Sequence, residues 1–166
     1  MTTSYLNPGG TGDRTASISG TNTIPKGGTG TVSNLVDGLI QGTNWWWTTG
    51  AASGALTFDF GAGASKIIDE VTYIQSNATT HGTYQWSGSN DNTNWTNIGG
   101  TFVLGAGGIS VQVITTLSGN TTGYRYYRMA AVSGNNNQSP WVMEFEFKID
   151  NSPVRRRRLL ITGAYR

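Results

Sequence analysis

The stretch that most constrains this chain runs from Gly82 to Trp95, GTYQWSGSNDNTNW. Tyr84 and Trp86 alternate with Thr83, Gln85 and Ser87, which sets two large rings on one face of an extended segment and small or polar groups on the other. That pattern predicts a half-buried strand. Gly88-Ser89-Asn90-Asp91-Asn92 follows, residues that tolerate a positive φ or bond their own backbone, so the chain must turn before it reaches Trp95. The expectation is a hairpin-like unit with Tyr84, Trp86 and Trp95 closing on one core.

Further strands are expected on either side of this unit. Leu56, Phe58 and Phe60 share a face, as do Ile109, Val111 and Val113, and residues 124–132 form another apolar-rich run. Between Lys66 and Gln75 the apolar residues Ile67, Ile68, Val71, Tyr73 and Ile74 break the period of two, which predicts a bend or a late start. The last strand sets Trp141, Met143, Phe145, Phe147 and Ile149 against Val142, Glu144, Glu146 and Lys148. Glycine-rich turns recur between these segments, and no window shows a capped helical period. The pattern is all-β, a two-sheet sandwich. A chain of 166 residues buries close to 70% of its unfolded surface by the usual scaling, so one core suffices without disulfide or metal, and there is no cysteine.

Five motifs in order carry a family resemblance: Val36-Asp37-Gly38 followed by Trp45; Leu56-Thr57-Phe58-Asp59-Phe60-Gly61; Gly88-Ser89-Asn90-Asp91 with Trp95; Tyr124-Arg125-Tyr126-Tyr127-Arg128-Met129; and Glu144-Phe145-Glu146-Phe147. Together they resemble the discoidin domain, the coagulation-factor type C or galactose-binding-like module shared with many bacterial carbohydrate-binding modules. The resemblance implies a jelly-roll β-sandwich over residues 33–150. Residues 1–32, rich in Gly and Thr, cannot build a core unaided and are expected to supply an edge strand near Thr15 to Ser19 and otherwise to lie over the sandwich or reach toward a neighbour. Residues 151–166 form a basic and apolar tail.

Charge excludes one class of partner. Residues 1–150 carry six Lys and Arg against nine Asp and Glu, a balance of −3, while residues 151–166 carry five Arg and no acid. The basic character belongs to the tail, and the body has too few cations to neutralise many phosphates, which argues against nucleic acid. No segment approaches the roughly 20 apolar residues of a membrane span, and nothing at the start resembles a signal peptide, so synthesis in a cytoplasm is expected. Catalytic constellations are missing: one histidine, no cysteine nucleophile, no phosphate-cradling loop, and acids that alternation assigns to a solvated strand face, so the chain is not expected to be an enzyme.

Candidate sites follow from residue types and from the resemblance. Discoidin-like carbohydrate modules often hold a structural Ca²⁺, and the matching positions here are Asp37, a carbonyl near Leu39, Thr43 and Glu144. An extra residue before Trp45 disturbs that loop. The alternative is a simple turn in which the Asp37 carboxylate bonds backbone amides. Trp45-Trp46-Trp47 cannot all enter a core from one strand, so at least one is expected to be exposed for stacking on a sugar ring; the alternative packs Trp45 and Trp47 inside and covers Trp46 with the N-terminal segment. The amide- and hydroxyl-rich loops 77–82 and 134–139, with His81, Asn135 and Asn136, fall near one end of the sandwich by resemblance and suit sugar hydroxyls or solvent. His81 by itself reads as a solvated loop residue. Arg125 and Arg128 match a Tyr-x-x-Arg strand in which arginine braces the sheet.

In the tail, Arg155, Arg156, Arg157 and Arg158 precede Leu159, Leu160 and Ile161. A free tail gains nothing by exposing those apolar residues. Docking on another chain as an added strand is the expected resolution, with a nucleic-acid or nuclear-localisation arm and a purification scar as alternatives. The body and tail together resemble accessory structural proteins of bacteriophage particles. A non-catalytic capsid decoration, head-fibre or tail protein is therefore expected in the virion, held to other virion proteins by its tail, able to form homo-oligomers and displaying a glycan-binding type of domain. The alternative is a free carbohydrate-binding module.

Overall fold

The computed structural model describes residues 4–5, 12–40, 46–48, 51–75, 81–105, 111–135 and 142–150. Within them lie eleven strands: β1 (Ser4–Tyr5), β2 (Ser19–Asn22), β3 (Lys26–Gly27), β4 (Trp46–Trp47), β5 (Ala55–Asp59), β6 (Ile67–Gln75), β7 (Thr83–Ser89), β8 (Thr96–Val103), β9 (Val111–Ile114), β10 (Tyr126–Ser133) and β11 (Val142–Asp150). One four-stranded sheet has the order β1-β11-β6-β9 and one five-stranded sheet the order β2-β5-β10-β7-β8, all neighbours antiparallel, with β3 and β4 forming a separate pair. A single 3-10 turn, Val32–Leu35, is the helical element among the described residues. The architecture is the expected all-β jelly-roll sandwich.

Alternation builds the core. Leu56 and Phe58 of β5, Tyr84 and Trp86 of β7, Tyr127 and Met129 of β10 face Val71 and Tyr73 of β6 and Phe145, Phe147 and Ile149 of β11, and all are buried. Phe58 sits at the centre, its ring 5.4 Å from Phe145 and 4.8 Å from Phe147 across the sandwich, and Trp86 meets Phe147 edge-on at 6.2 Å.

Three irregularities have physical causes that pattern alone hides. In β6 the register steps from Lys148↔Glu70 to Ile149↔Ile68, so Asp69 is an extra residue in a bulge, which accounts for the broken period. A second shift between Val142 and Glu144 lets Val142 enter the core while Met143 is only partly buried. In β9 the core-facing apolar residue is Ile114, and Val111 and Val113 lie on the outer face.

The hairpin keeps its turn but not its third core aromatic. Trp95 stays outside, with the Arg128 guanidinium 4.1 Å above its ring. The turn itself is organised by Asp91, whose Oδ1 accepts from the N–H of Thr93 (2.9 Å) and Asn94 (2.7 Å) and whose Oδ2 accepts from Asn94 Nδ2 (2.7 Å). Those hydrogen bonds hold its carboxyl far below the usual carboxylate range. Gly88 is a strand residue of β7, needed for another reason: a Cβ there would stand 2.2 Å from Cδ2 of the Tyr124 ring that lies across it.

Residues 12–32 are part of the sandwich. Ile18, Ile24 and Val32 are buried in the main core, and β2 pairs with β5 along Ser19–Asn22, beginning where the expected edge strand was to end. A boundary between residues 32 and 33 falls inside the 3-10 turn. The segment is poor in apolar residues, yet those it has are placed where the core is open.

Candidate functional site

Strand ends from several parts of the chain converge at one end of the sandwich. Ala52 donates its N–H to Gly134 O (2.9 Å), His81 to Leu104 O (2.8 Å) and Leu104 to Gly82 O (2.9 Å), while Val142 pairs with Gln75. Gly82 has φ +91, and a Cβ there would stand 2.9 Å from Ser133 O and 3.3 Å from Asn135 N, so glycine lets these turns close together. Asn135 is exposed at this end. The sequence-predicted loops 77–82 and 134–139 are thus brought together at their described flanks.

Beneath lies a buried plate instead of a solvated loop. His81 and Trp47 are 0% exposed. The imidazole meets Trp47 edge-on at 6.2 Å and Tyr73 edge-on at 6.1 Å, and its Nε2 lies 2.8 Å from Gln75 Oε1. Burial pushes the His81 pKa down to about 4, so the ring is neutral. For His81 this corrects the solvated-loop reading, and for Trp47 it gives the alternative in which that ring packs inside; neither side chain is open to a ligand. Trp45 and Asn136 fall outside the described residues, and of Trp46 the backbone alone is described, paired with Gly27.

A second constellation lies on the outer face of the four-stranded sheet. Alternation assigned Glu144 and Glu146 to solvent; both are buried, at 0% and 3% exposure, and Arg14 and Gly38 lie against Glu144. Arg14, itself 5% exposed, reaches in and places Nη2 3.2 Å from Phe145 O, to which it donates, and 3.5 Å from Glu144 Oε1. Glu144 Oε2 accepts from Gly38 N–H at 3.2 Å. Asp37 closes a turn, its Oδ1 accepting from Leu39 N–H at 2.9 Å and its Oδ2 from Asn34 Nδ2 at 3.4 Å. Burial pushes the Glu144 carboxyl up to about 8, against the opposing effects of Arg14 and of the Gly38 hydrogen bond.

This arrangement tests the metal site implied by the resemblance. Glu144 Oε2 and Asp37 Oδ1 accept from backbone N–H groups, while Glu144 Oε1 has the Arg14 guanidinium at ion-pair distance and no hydrogen-bond partner, and no group of three His, Cys, Asp or Glu able to hold a metal gathers among the described residues. A hard dication beside a buried arginine would share Glu144 with a like charge. Arg14 thus stands as the cation beside Glu144 where the expected Ca²⁺ would bind, and Thr43 falls outside the described residues. Nor does the raised Glu144 pKa make a catalytic acid, since no substrate reaches a carboxyl with no exposed surface.

On the other sheet, Arg125 braces as expected, with Nε and Nη2 each donating at 2.8 Å to the two oxygens of Asp59. The residue that sequence reasoning missed is Arg14. Nothing in its Gly- and Thr-rich surroundings marks it as buried.

No protein-family model and no curated protein matches this chain. Solved structures do. One is CBM32-3 from a family 31 glycoside hydrolase of Clostridium perfringens, with TM-score 0.63 and 20% identity over 81% of this chain and 92% of that one. A family 32 carbohydrate-binding module from C. perfringens NanJ, solved in complex with galactose, gives TM-score 0.61 and 15% identity over 82% of this chain and 97% of its own. The family 32 module of Streptococcus pneumoniae EndoD gives TM-score 0.55 and 14% identity over 87% and 98%. At such identities the likeness establishes the fold.

Proposed function

We propose that this chain is a non-catalytic carbohydrate-binding module that holds a glycan at the loop end of the sandwich. The observation that carries the proposal is the convergence there of Ala52, Gly82, Gly134 and exposed Asn135 over the buried Trp47–His81–Tyr73 plate. A rigid floor under polar loops is what sugar recognition needs: hydroxyl partners held in fixed geometry, with little ordering cost on binding. The modules of similar fold support the same reading, and the one solved with galactose makes that sugar the first probe. Asn135 and Asn136 are the amide candidates and Trp45 and Trp46 the stacking candidates.

The test is binding of the full chain to an immobilised glycan panel that includes galactose, beside Asn135→Ala and Trp46→Ala variants. Retention of a glycan that weakens about tenfold or more in either variant is the expected result. Binding unchanged in both variants, or no binding across the panel, would sink the proposal.

A second reading anchors the same module on a virus particle through residues 151–166. It is favoured by the order of the tail, four arginines and then Leu159-Leu160-Ile161. Incorporation of Leu159→Asp/Ile161→Asp chains into particles as efficiently as the parent would remove it.

A further inference from the structure

The four-stranded sheet ends on one side at β9, a strand paired on its inner side with β6 and with nothing beyond it among the described residues. Val111 and Val113 stand on its outer face, 46% and 51% exposed, beside Ile74 and Thr72. The strand is well anchored: Gln112 Nε2 donates to Val103 O at 2.8 Å, and Gln112 Oε1 accepts from Gly105 N–H at 2.7 Å. A fixed, apolar, unpaired edge invites pairing with another chain, and proteins that stay monomeric cover it.

The chain carries a segment suited to that edge. β11 ends at Asp150, level with Ile67 at the start of β6, and 16 residues follow. A strand leaving that level and running toward Gln75 would be parallel to β6 and therefore antiparallel to β9. To place Leu159 opposite the valines, the tail must cross three interstrand steps and climb from the level of Ile67 to that of Thr72, roughly 22 Å in all, and residues 151–158 span up to about 30 Å. Leu159 and Ile161 share one face of an extended strand, as Val113 and Val111 do. A tail on that path would carry its arginines past the β6 bulge, where Asp69 Oδ1 is buried and has no hydrogen-bond partner.

We propose that residues 159–161 add to β9 of their own chain as an antiparallel strand, Leu159 and Ile161 covering Val113 and Val111, with the arginine run engaging Asp69. This cap does not depend on the glycan reading. It competes with particle anchoring, since a tail held on its own sheet is not free for another protein.

The test is amide hydrogen exchange over Val111–Ile114 in the full chain and in a Leu159→Asp/Ile161→Asp variant, with the β7 and β10 amides as the control for folding. Exchange at β9 is expected to be about tenfold or more faster in the variant while β7 and β10 are unchanged. An Asp69→Asn variant should show a smaller change of the same sign. Equal β9 exchange in parent and double variant overturns the proposal. So does protection that grows with protein concentration, which would give the edge to the tail of a second copy.

Discussion

The two outer faces of this sandwich carry the same pair of chemical groups in opposite surroundings. On the five-stranded sheet Arg125 and Asp59 meet in a fork at 2.8 Å with 31% and 21% of their side chains exposed. On the four-stranded sheet Arg14 and Glu144 stand 3.5 Å apart at 5% and 0%. The better geometry belongs to the pair that water screens, and the looser contact to the pair that has lost its water. Consequently Arg125 pulls the Asp59 carboxyl below its ordinary range, whereas burial overrides Arg14 and drives Glu144 up to about 8. Environment, more than contact distance, decides what an arginine–carboxylate pair does to its fold.

Breaking the buried pair gives the largest expected effect. Arg14→Met removes the cation beside Glu144 and the hydrogen bond to Phe145 O, and should cost about 2–3 kcal/mol, read from chemical denaturation. Combining it with Glu144→Gln, which keeps an oxygen for Gly38 N–H, should recover at least about 1 kcal/mol of that loss as a coupling energy. Additive losses would mean that the two side chains act separately and that the pair is a coincidence of packing.

Opposite pKa shifts predict opposite pH slopes. Glu144 keeps in the folded state a proton that the unfolded chain releases between its ordinary 4.5 and about 8, so its contribution is fully present below 4.5 and is lost as pH rises through that window. Asp59 is shifted down, so its contribution is present above its ordinary 3.8 and is lost as pH falls below it. His81, held at about 4 against an ordinary 6.5, also loses its contribution as pH falls, between those two values. The difference between parent and Glu144→Gln isolates the glutamate: the melting temperatures should converge at pH 5 and separate in favour of the variant toward pH 8. A gap independent of pH would show that Glu144 is ionised throughout.

Asp59→Asn sharpens the contrast from the exposed side. It removes the fork yet leaves an oxygen for Gly61 N–H, and the melting temperature should fall by about 2 °C or less, and less still in high salt. A loss as large as that of Arg14→Met would end the distinction between the two faces.

The contrast also marks what the sequence could disclose. The Gly-Ser-Asn-Asp turn was legible because its partners are local, Asp91 bonding residues two and three places on. The core of β5, β7 and β11 was legible because alternation reports a sheet with one dry face. Glu144 and Glu146 were misassigned by the same rule. Arg14 and Gly38, more than a hundred positions away, lie against Glu144, and alternation cannot tell a face open to water from one roofed by distant chain. His81 was misplaced similarly, as the packing that buries it brings Trp47 of β4 against its ring. Arg14 gave no signal at all, since a lone arginine among glycines and threonines looks solvated.

The smallest expected effect bears on the cation that serves the buried corner. A calcium ion held there at a hundredfold excess over its Kd would add about 2.7 kcal/mol to the folded state, enough to move the melting temperature by several degrees. With Arg14 Nη2 at Glu144 Oε1, Gly38 N–H at Oε2 and Leu39 N–H at Asp37 Oδ1, those acids already have partners, and adding calcium or a chelator should shift the melting temperature by about 1 °C or less. A chelator that lowers it by several degrees would mean that an ion displaces these donors and recruits Thr43. The Arg14→Met chain then distinguishes the remaining cases: if calcium stabilises that variant and not the parent, the guanidinium is the cation that excludes the metal, and the two faces differ because one of them has built its counter-ion into the chain.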